Sequence, residues 1–185
     1  MSFVQMPAER PYPWYVKLLL WRQRRKYGRE LEPVRLWARI PGALLPVLAL
    51  QRAFDRRGSR IEPALRSLLQ VQVSQINSCA FCVDYNAHLG EQRGVPEEKL
   101  AALAEFSRSP VFSERERAAL GFAEAVTRAD ARATAAALER LRAHFGEDAI
   151  VELAGLIAFQ NMSSKFNAAL GVPAHGFRAA APQRR

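Results

Sequence analysis

Residues 62–82 read EPALRSLLQVQVSQINSCAFC. Pro63 stands in the first helical turn, where a missing N–H does no harm. From there Leu65, Leu68, Leu69, Val73 and Ile76 recur at i, i+3, i+4, i+8 and i+11, the repeat of one buried helical face. Asn77 and Ser78 favour turns and N-caps. A second helix is therefore expected to open at the cysteine pair, running from about Ser78 to Arg93 and ending at Gly94. Two helices meeting at a tight joint that carries Cys79 and Cys82 decide the fold class.

The same alphabet extends outward on both sides. Downstream, Pro96 opens a short helix through Phe106, and Ser113-Glu114-Arg115-Glu116 is a capping box ahead of Ala118, Leu120, Phe122, Ala123 and Val126. Residues 131–145 and 147–170 complete the helices, the last closed by Gly171-Val172-Pro173. Upstream, residues 1–13 read as an extended arm and residues 14–27 as a helix stopped by Gly28. Residues 33–57 form two helices parted at Pro41-Gly42, the second ending at Gly58. No strand alternation lasts more than a few residues. The expectation is an all-α, compact multi-helix bundle in one domain over residues 1–185, with a basic N-terminal arm over about residues 1–30 and a short flexible tail over about residues 174–185.

Hydrophobic content of 49% and charged content of 24% are those of a soluble globular protein. Two cysteines do not make a secreted disulfide framework, so a reducing cytoplasm is expected. The apolar run at Trp14 is short, contains Lys17 and follows Pro11 and Pro13, unlike a signal peptide. No stretch reaches the ~20 apolar residues of a membrane span, so integral membrane association is not expected. The net charge of +9 belongs to residues 1–60, which carry 13 Lys+Arg against 4 Asp+Glu, while residues 61–185 balance at 14 each. Arg22, Arg24, Arg25, Lys26 and Arg29 concentrate it. A solvated arginine-rich face is the preferred reading, because charge alone specifies no partner and no zinc-finger or RNP signature points to nucleic acid.

Cys79 and Cys82 are the only cysteines, at i and i+3, where a helix sets both sulfurs on one face. Such a pair can close to a disulfide and reopen, and the N–H groups of a helix N-terminus favour the reactive thiolate. The bland alternative is two small buried apolar residues. Thiol chemistry on a hydroperoxide also needs proton transfer. Asn86, one turn beyond Cys82, shares its face but cannot carry a proton at neutral pH. Tyr85 could donate to sulfur or fill the core. His88 lies about 240° round from Cys82 and about 180° from Cys79, so it faces elsewhere. Asp84 points away from the pair, toward solvent or a salt bridge. His88, His144 and His175 lack paired spacing with the cysteines, so no metal site is expected. Motifs for nucleotides or other cofactors are absent, and none is expected.

Residues 74–84, SQINSCAFCVD, resemble the signature of the AhpD-like carboxymuconolactone decarboxylase family, roughly S-Q-I-N-G-C-A-[FY]-C-[IV]-D-x-H. Residues 65–69, 110–127 and 152–173 extend the likeness. The resemblance implies an all-α fold that assembles as a homo-oligomer. It also implies alkylhydroperoxidase-related thiol chemistry on a hydroperoxide or a protein disulfide, reduced in some members by a lipoylated protein. Cys79 and Cys82 carry over as the redox pair. The family's histidine and glutamate fall on Asn86 and Ser67, neither of which ionises, so the proton relay does not carry over. Members that decarboxylate lactones generally lack the CxxC. Two readings follow: a cytoplasmic thiol-dependent oxidoreductase with weak or specialised peroxidase activity, or a non-catalytic scaffold that binds a ligand or partner and uses its cysteines structurally.

Overall fold

The computed structural model describes residues 2–4, 11–40 and 42–178. Most of the expected extended arm, the Pro41 of the helix break and the end of the tail lie outside those residues. In chain order the helices are α1 (Trp14–Tyr27), α2 (Glu32–Trp37), α3 (Leu44–Phe54), α4 (Pro63–Ile76), α5 (Ala80–Gln92), α6 (Glu97–Ala101), α7 (Glu114–Arg128), α8 (Ala131–Arg142) and α9 (Glu147–Ala169), with a 3₁₀ turn at Leu103–Glu105. No strand occurs among the described residues.

The joint between α4 and α5 is built by backbone hydrogen bonds. Ser78 adopts a left-handed conformation, φ 53°. The Cys79 N–H then reaches the Ser74 carbonyl at 3.0 Å and the Ser78 N–H the Gln75 carbonyl at 3.0 Å, the paired bonds of a Schellman ending. Cys79 is at once the residue that closes α4 and the extended N-cap of α5, φ −91° and ψ 93°. The second helix thus opens at Ala80 rather than Ser78, because the turn that terminates α4 takes Ser78 and Cys79 out of helical geometry. The same device ends α5 at Gly94 and α9 at Gly171, with φ 81° and 65°.

Packing places α4 at the centre, against α5, α7 and α9. Leu68, Leu69, Leu120, Leu153 and Ile157 occupy the principal core, each at most 1% exposed. A second apolar cluster gathers Val16, Leu20, Leu36 and Leu44 around Cys79, Phe81 and Cys82. In α1 only Val16, Leu20 and Gln23 are buried, so two apolar anchors, worth about 3–6 kcal/mol together, hold this helix over the cysteine pair. α3 crosses α9 where the Phe54 ring lies so near Gly155 that a Cβ there would meet it at 2.8 Å.

Ser113 and Glu116 form the expected capping box, with Glu116 N–H to Ser113 Oγ at 3.2 Å and Ser113 N–H to Glu116 Oε2 at 2.8 Å. Several boundaries differ from expectation. α3 stops at Phe54, four residues before Gly58, and α8 stops at Arg142 rather than at position 145. The stretch after Pro96 is split into α6 and the 3₁₀ turn. Local pattern does not register these early stops.

Candidate functional site

Cys79 and Cys82 are joined as a disulfide, their Cα atoms 5.2 Å apart. The two sulfurs have different surroundings. Cys79 Sγ accepts the Cys82 N–H at 3.3 Å, so the first turn of α5 is capped by sulfur. Cys82 Sγ accepts Asn167 Nδ2 from α9, also at 3.3 Å. Both residues are at most 3% exposed. In the reduced protein, burial disfavours a thiolate, whereas a donor on each sulfur and the unpaired N–H groups of the helix terminus favour it. No cluster of three or more potential metal ligands occurs among the described residues.

A cavity of about 660 Å³ opens onto this pair from one side, and Cys82 forms part of its wall while Cys79 does not. Cys82 and Asn167 are buried at its inner end. Trp37, Leu44, Leu48, Phe81 and Phe159 supply apolar wall, and Trp37 is stacked on Phe166 with ring centroids 3.9 Å apart. Of the two cysteines, Cys82 is therefore the one that borders the cavity.

The residues singled out from sequence separate in space. Asn86 lies in the cavity wall, and its Nδ2 is 3.4 Å from Ser74 Oγ. Ser74 also receives Gln160 Nε2 at 2.9 Å and donates to the Gln70 carbonyl at 2.5 Å. Asn86 is thus fixed beside the site as part of a hydrogen-bonded polar group. Ser67 is fully buried elsewhere, accepting Arg93 Nη1 at 3.2 Å, and it takes no part in the cavity wall. Tyr85 does line the cavity, with its hydroxyl 3.3 Å from that of Tyr27. Burial, aided by the Tyr27 hydrogen bond, pushes the Tyr85 phenol pKa upward, so the group stays a neutral O–H donor. His88 faces away from the cavity, stacked on Phe177 and hydrogen-bonded to Gln92.

Asp84 corrects an expectation. It is half-buried and forms no ion pair among the described residues. Its carboxylate accepts the backbone N–H groups of His175, Phe177 and Arg178 at 2.8, 3.1 and 3.3 Å, clasping the start of the expected tail to α5. Phe177 is thereby inserted among Tyr27, Phe81 and Tyr85, with centroids 5.7, 6.2 and 5.4 Å away. Sequence reading missed Asn167 and Gln160. The available signal was their spacing with Ser164, an i, i+4, i+7 polar stripe, and all three are buried.

A helical scaffold that holds a CxxC disulfide at a joint between two helices, with one sulfur facing a cavity, defines a class of thiol-bearing proteins. Residues 47–125 match the carboxymuconolactone decarboxylase family. YnjA of Escherichia coli strain K12 is 37% identical over 171 residues, 92% of this chain and 94% of YnjA. The chain belongs to the carboxymuconolactone decarboxylase family, on its AhpD-like side. A protein of unknown function from Agrobacterium tumefaciens, bearing the name of the antioxidant defence protein AhpD, superposes with a TM-score of 0.69 at 32% identity, covering 74% of this chain and 92% of its own. A peroxidase-related protein from Silicibacter sp. TM1040 shares the fold at a TM-score of 0.82 and 23% identity, covering 95% and 93%.

Proposed function

We propose that this protein is a thiol-dependent oxidoreductase, peroxidase-related, in which Cys82 attacks a hydroperoxide and Cys79 resolves the product. The observation that carries the reading is the asymmetry of the disulfide, in which Cys82 borders the cavity and Cys79 does not. The Cys82 thiolate attacks the terminal oxygen of ROOH, the O–O bond breaks, and the departing alkoxide takes a proton to become ROH. The Cys79 thiolate then displaces the oxygen of the Cys82 sulfenic acid, which leaves as water once protonated, and the disulfide forms. A small dithiol or lipoylated protein returns the two electrons by attacking the sulfur it can reach, Cys82.

Proton supply limits the rate. Among the described residues no histidine lines the cavity, and the one carboxylate in its wall, Asp55, is held by Arg93 at 2.7 and 2.8 Å. The Tyr85 phenol, its pKa raised, is a weak acid. Since acid–base help is typically worth ~10²–10⁴-fold, the enzyme is slow or specialised. Trp14, Leu18 and Trp21 lie at i, i+4 and i+7 on α1 with exposures of 77%, 48% and 52%, an apolar stripe suited to a second copy in a homo-oligomer. No helix among the described residues is long and apolar enough to cross a membrane, and a cytoplasmic location fits the reducible pair.

The test is consumption of cumene hydroperoxide with dihydrolipoamide as reductant. Wild type is expected to turn over and Cys82→Ser to be inactive, while Cys79→Ser, assayed without reductant, is expected to consume one equivalent and stop. Wild type without turnover, or Cys82→Ser equal to it, would favour the scaffold reading instead.

A further inference from the structure

Exposed cations surround the entrance to the Cys82 cavity. Arg22, Arg25 and Lys26 project from one face of α1 and Arg52 from α3, the first three at i, i+3 and i+4. Among the described residues, no ion pair is recorded for any of these four. Arg24, on α1 but outside the cavity wall, is by contrast paired with Glu30 at 2.9 Å. The carboxylate at the entrance, Asp55, is already occupied by Arg93, with Arg66 at 3.5 Å. The entrance therefore keeps a surplus of positive charge.

The inner end adds an independent observation. Asn167 is 2% exposed and lines the cavity. Its Nδ2 donates to Cys82 Sγ, but its Oδ1 is buried with no hydrogen-bond partner. Leaving a buried acceptor unmet costs ~1–3 kcal/mol, a deficit that a donor on a ligand beside Cys82 would relieve. Between the two ends lies apolar wall from Val34, Trp37, Leu44, Leu48 and Phe159. The volume of about 660 Å³ is within the range that encloses a small organic ligand.

We propose that the cavity takes an amphipathic carboxylate, and that the substrates are hydroperoxides of fatty-acid type. The carboxylate sits among Arg22, Arg25, Lys26 and Arg52, the chain lies along the apolar wall, and the peroxide O–H donates to Asn167 Oδ1 beside Cys82. The substrate half rests on the peroxidase reading, and the products are the hydroxy acid and water as balanced above. A small neutral peroxide enters the same space but leaves the cations unmatched.

Binding is measured first, on the disulfide form, so that it does not depend on turnover. Quenching of tryptophan fluorescence reports ligand at Trp21 and Trp37, both in the cavity wall. Dodecanoate is expected to bind about tenfold more tightly than dodecanol, the sum of several exposed charge contacts. That advantage should shrink toward parity in ~1 M salt and in the double variant Arg22→Gln/Arg25→Gln, with circular dichroism confirming the fold. Turnover of linoleate hydroperoxide is then compared with that of its methyl ester, the acid being favoured by a similar factor in KM. Equal binding of dodecanoate and dodecanol, or a preference unmoved by salt, overturns the ligand class. Dodecanoate preference without turnover of either hydroperoxide upholds the ligand class and overturns the peroxidase half.

Discussion

Asn167→Ala removes the side-chain donor to Cys82 Sγ without touching the backbone carbonyl that receives the Val172 N–H at 3.0 Å. The fold should tolerate the change, because the deleted amide also carries the unpartnered Oδ1, and relief of that orphan offsets the small void. In the reduced protein the lost bond is one to a charged sulfur, worth about 1.5–3 kcal/mol, or roughly 1–2 pKa units. The Cys82 thiolate should therefore form at a pH about 1–2 units higher than in wild type. Cys79 should be little changed, since its donor is the Cys82 backbone N–H. The assay is iodoacetamide alkylation of the reduced protein across pH, read at each cysteine by peptide mass. A Cys82 profile unmoved by the substitution, or a larger shift at Cys79, would refute the assignment of Asn167 as the group that stabilises the attacking sulfur.

Four further outcomes are expected. Ser78→Gly removes the strain of a side chain at φ 53° and should stabilise by about 0.5–1 kcal/mol after the added freedom of the unfolded chain, raising Tm by roughly 1–4 °C; a lower Tm would contradict the strained joint. Asp84→Ala strips three N–H groups of their acceptor, and the amides of His175, Phe177 and Arg178 should exchange about tenfold faster or more, with a much smaller change in global melting. Burial lowers the pKa of His175 from 6.5, opposed by Glu32. The unfolded chain then binds the proton first, so stability from this group is complete above about pH 6.5 and is lost as pH falls toward the lowered native value. His175→Gln should accordingly flatten part of the Tm decline below pH 6.5, and identical slopes would refute it. Asn86→His should raise peroxide turnover by up to ~10²-fold, while adding Ser67→Glu should gain little, because Arg93 at 3.2 Å from the Ser67 hydroxyl would pair with the new carboxylate.

Much of this was legible where a residue type dictates its own local geometry. Gly28, Gly94 and Gly171 all stand at positive φ, and each marks the end of a helix that periodicity had already drawn. Ser78 and Ala129 occupy the same left-handed position, φ 53° and 58°, but without glycine's signature; residue type alone therefore opens α5 two residues early and takes Cys79 into the helix instead of its cap. The cysteine pair was legible as a closing dithiol. Which sulfur faces outward was not, because that depends on α1, α3 and α9 assembling a cavity around Cys82. Asp84 could be oriented relative to the cysteines by helical geometry, yet its partners lie more than ninety residues away in sequence. The charge of the N-terminal third was equally plain, and Arg22, Arg24, Arg25, Lys26 and Arg29 are exposed. Only tertiary structure places Arg22, Arg25 and Lys26 beside Arg52 at one entrance.

The most direct measurement is dimedone trapping in Cys79→Ser after one equivalent of cumene hydroperoxide, with the adduct located by peptide mass. A near-stoichiometric sulfenic acid adduct at Cys82 is the predicted result, since the thiol behind it is gone and the sulfur facing the cavity still reacts. An unmodified Cys82 in the folded, reduced variant would contradict the assignment of Cys82 as the peroxide-reacting sulfur.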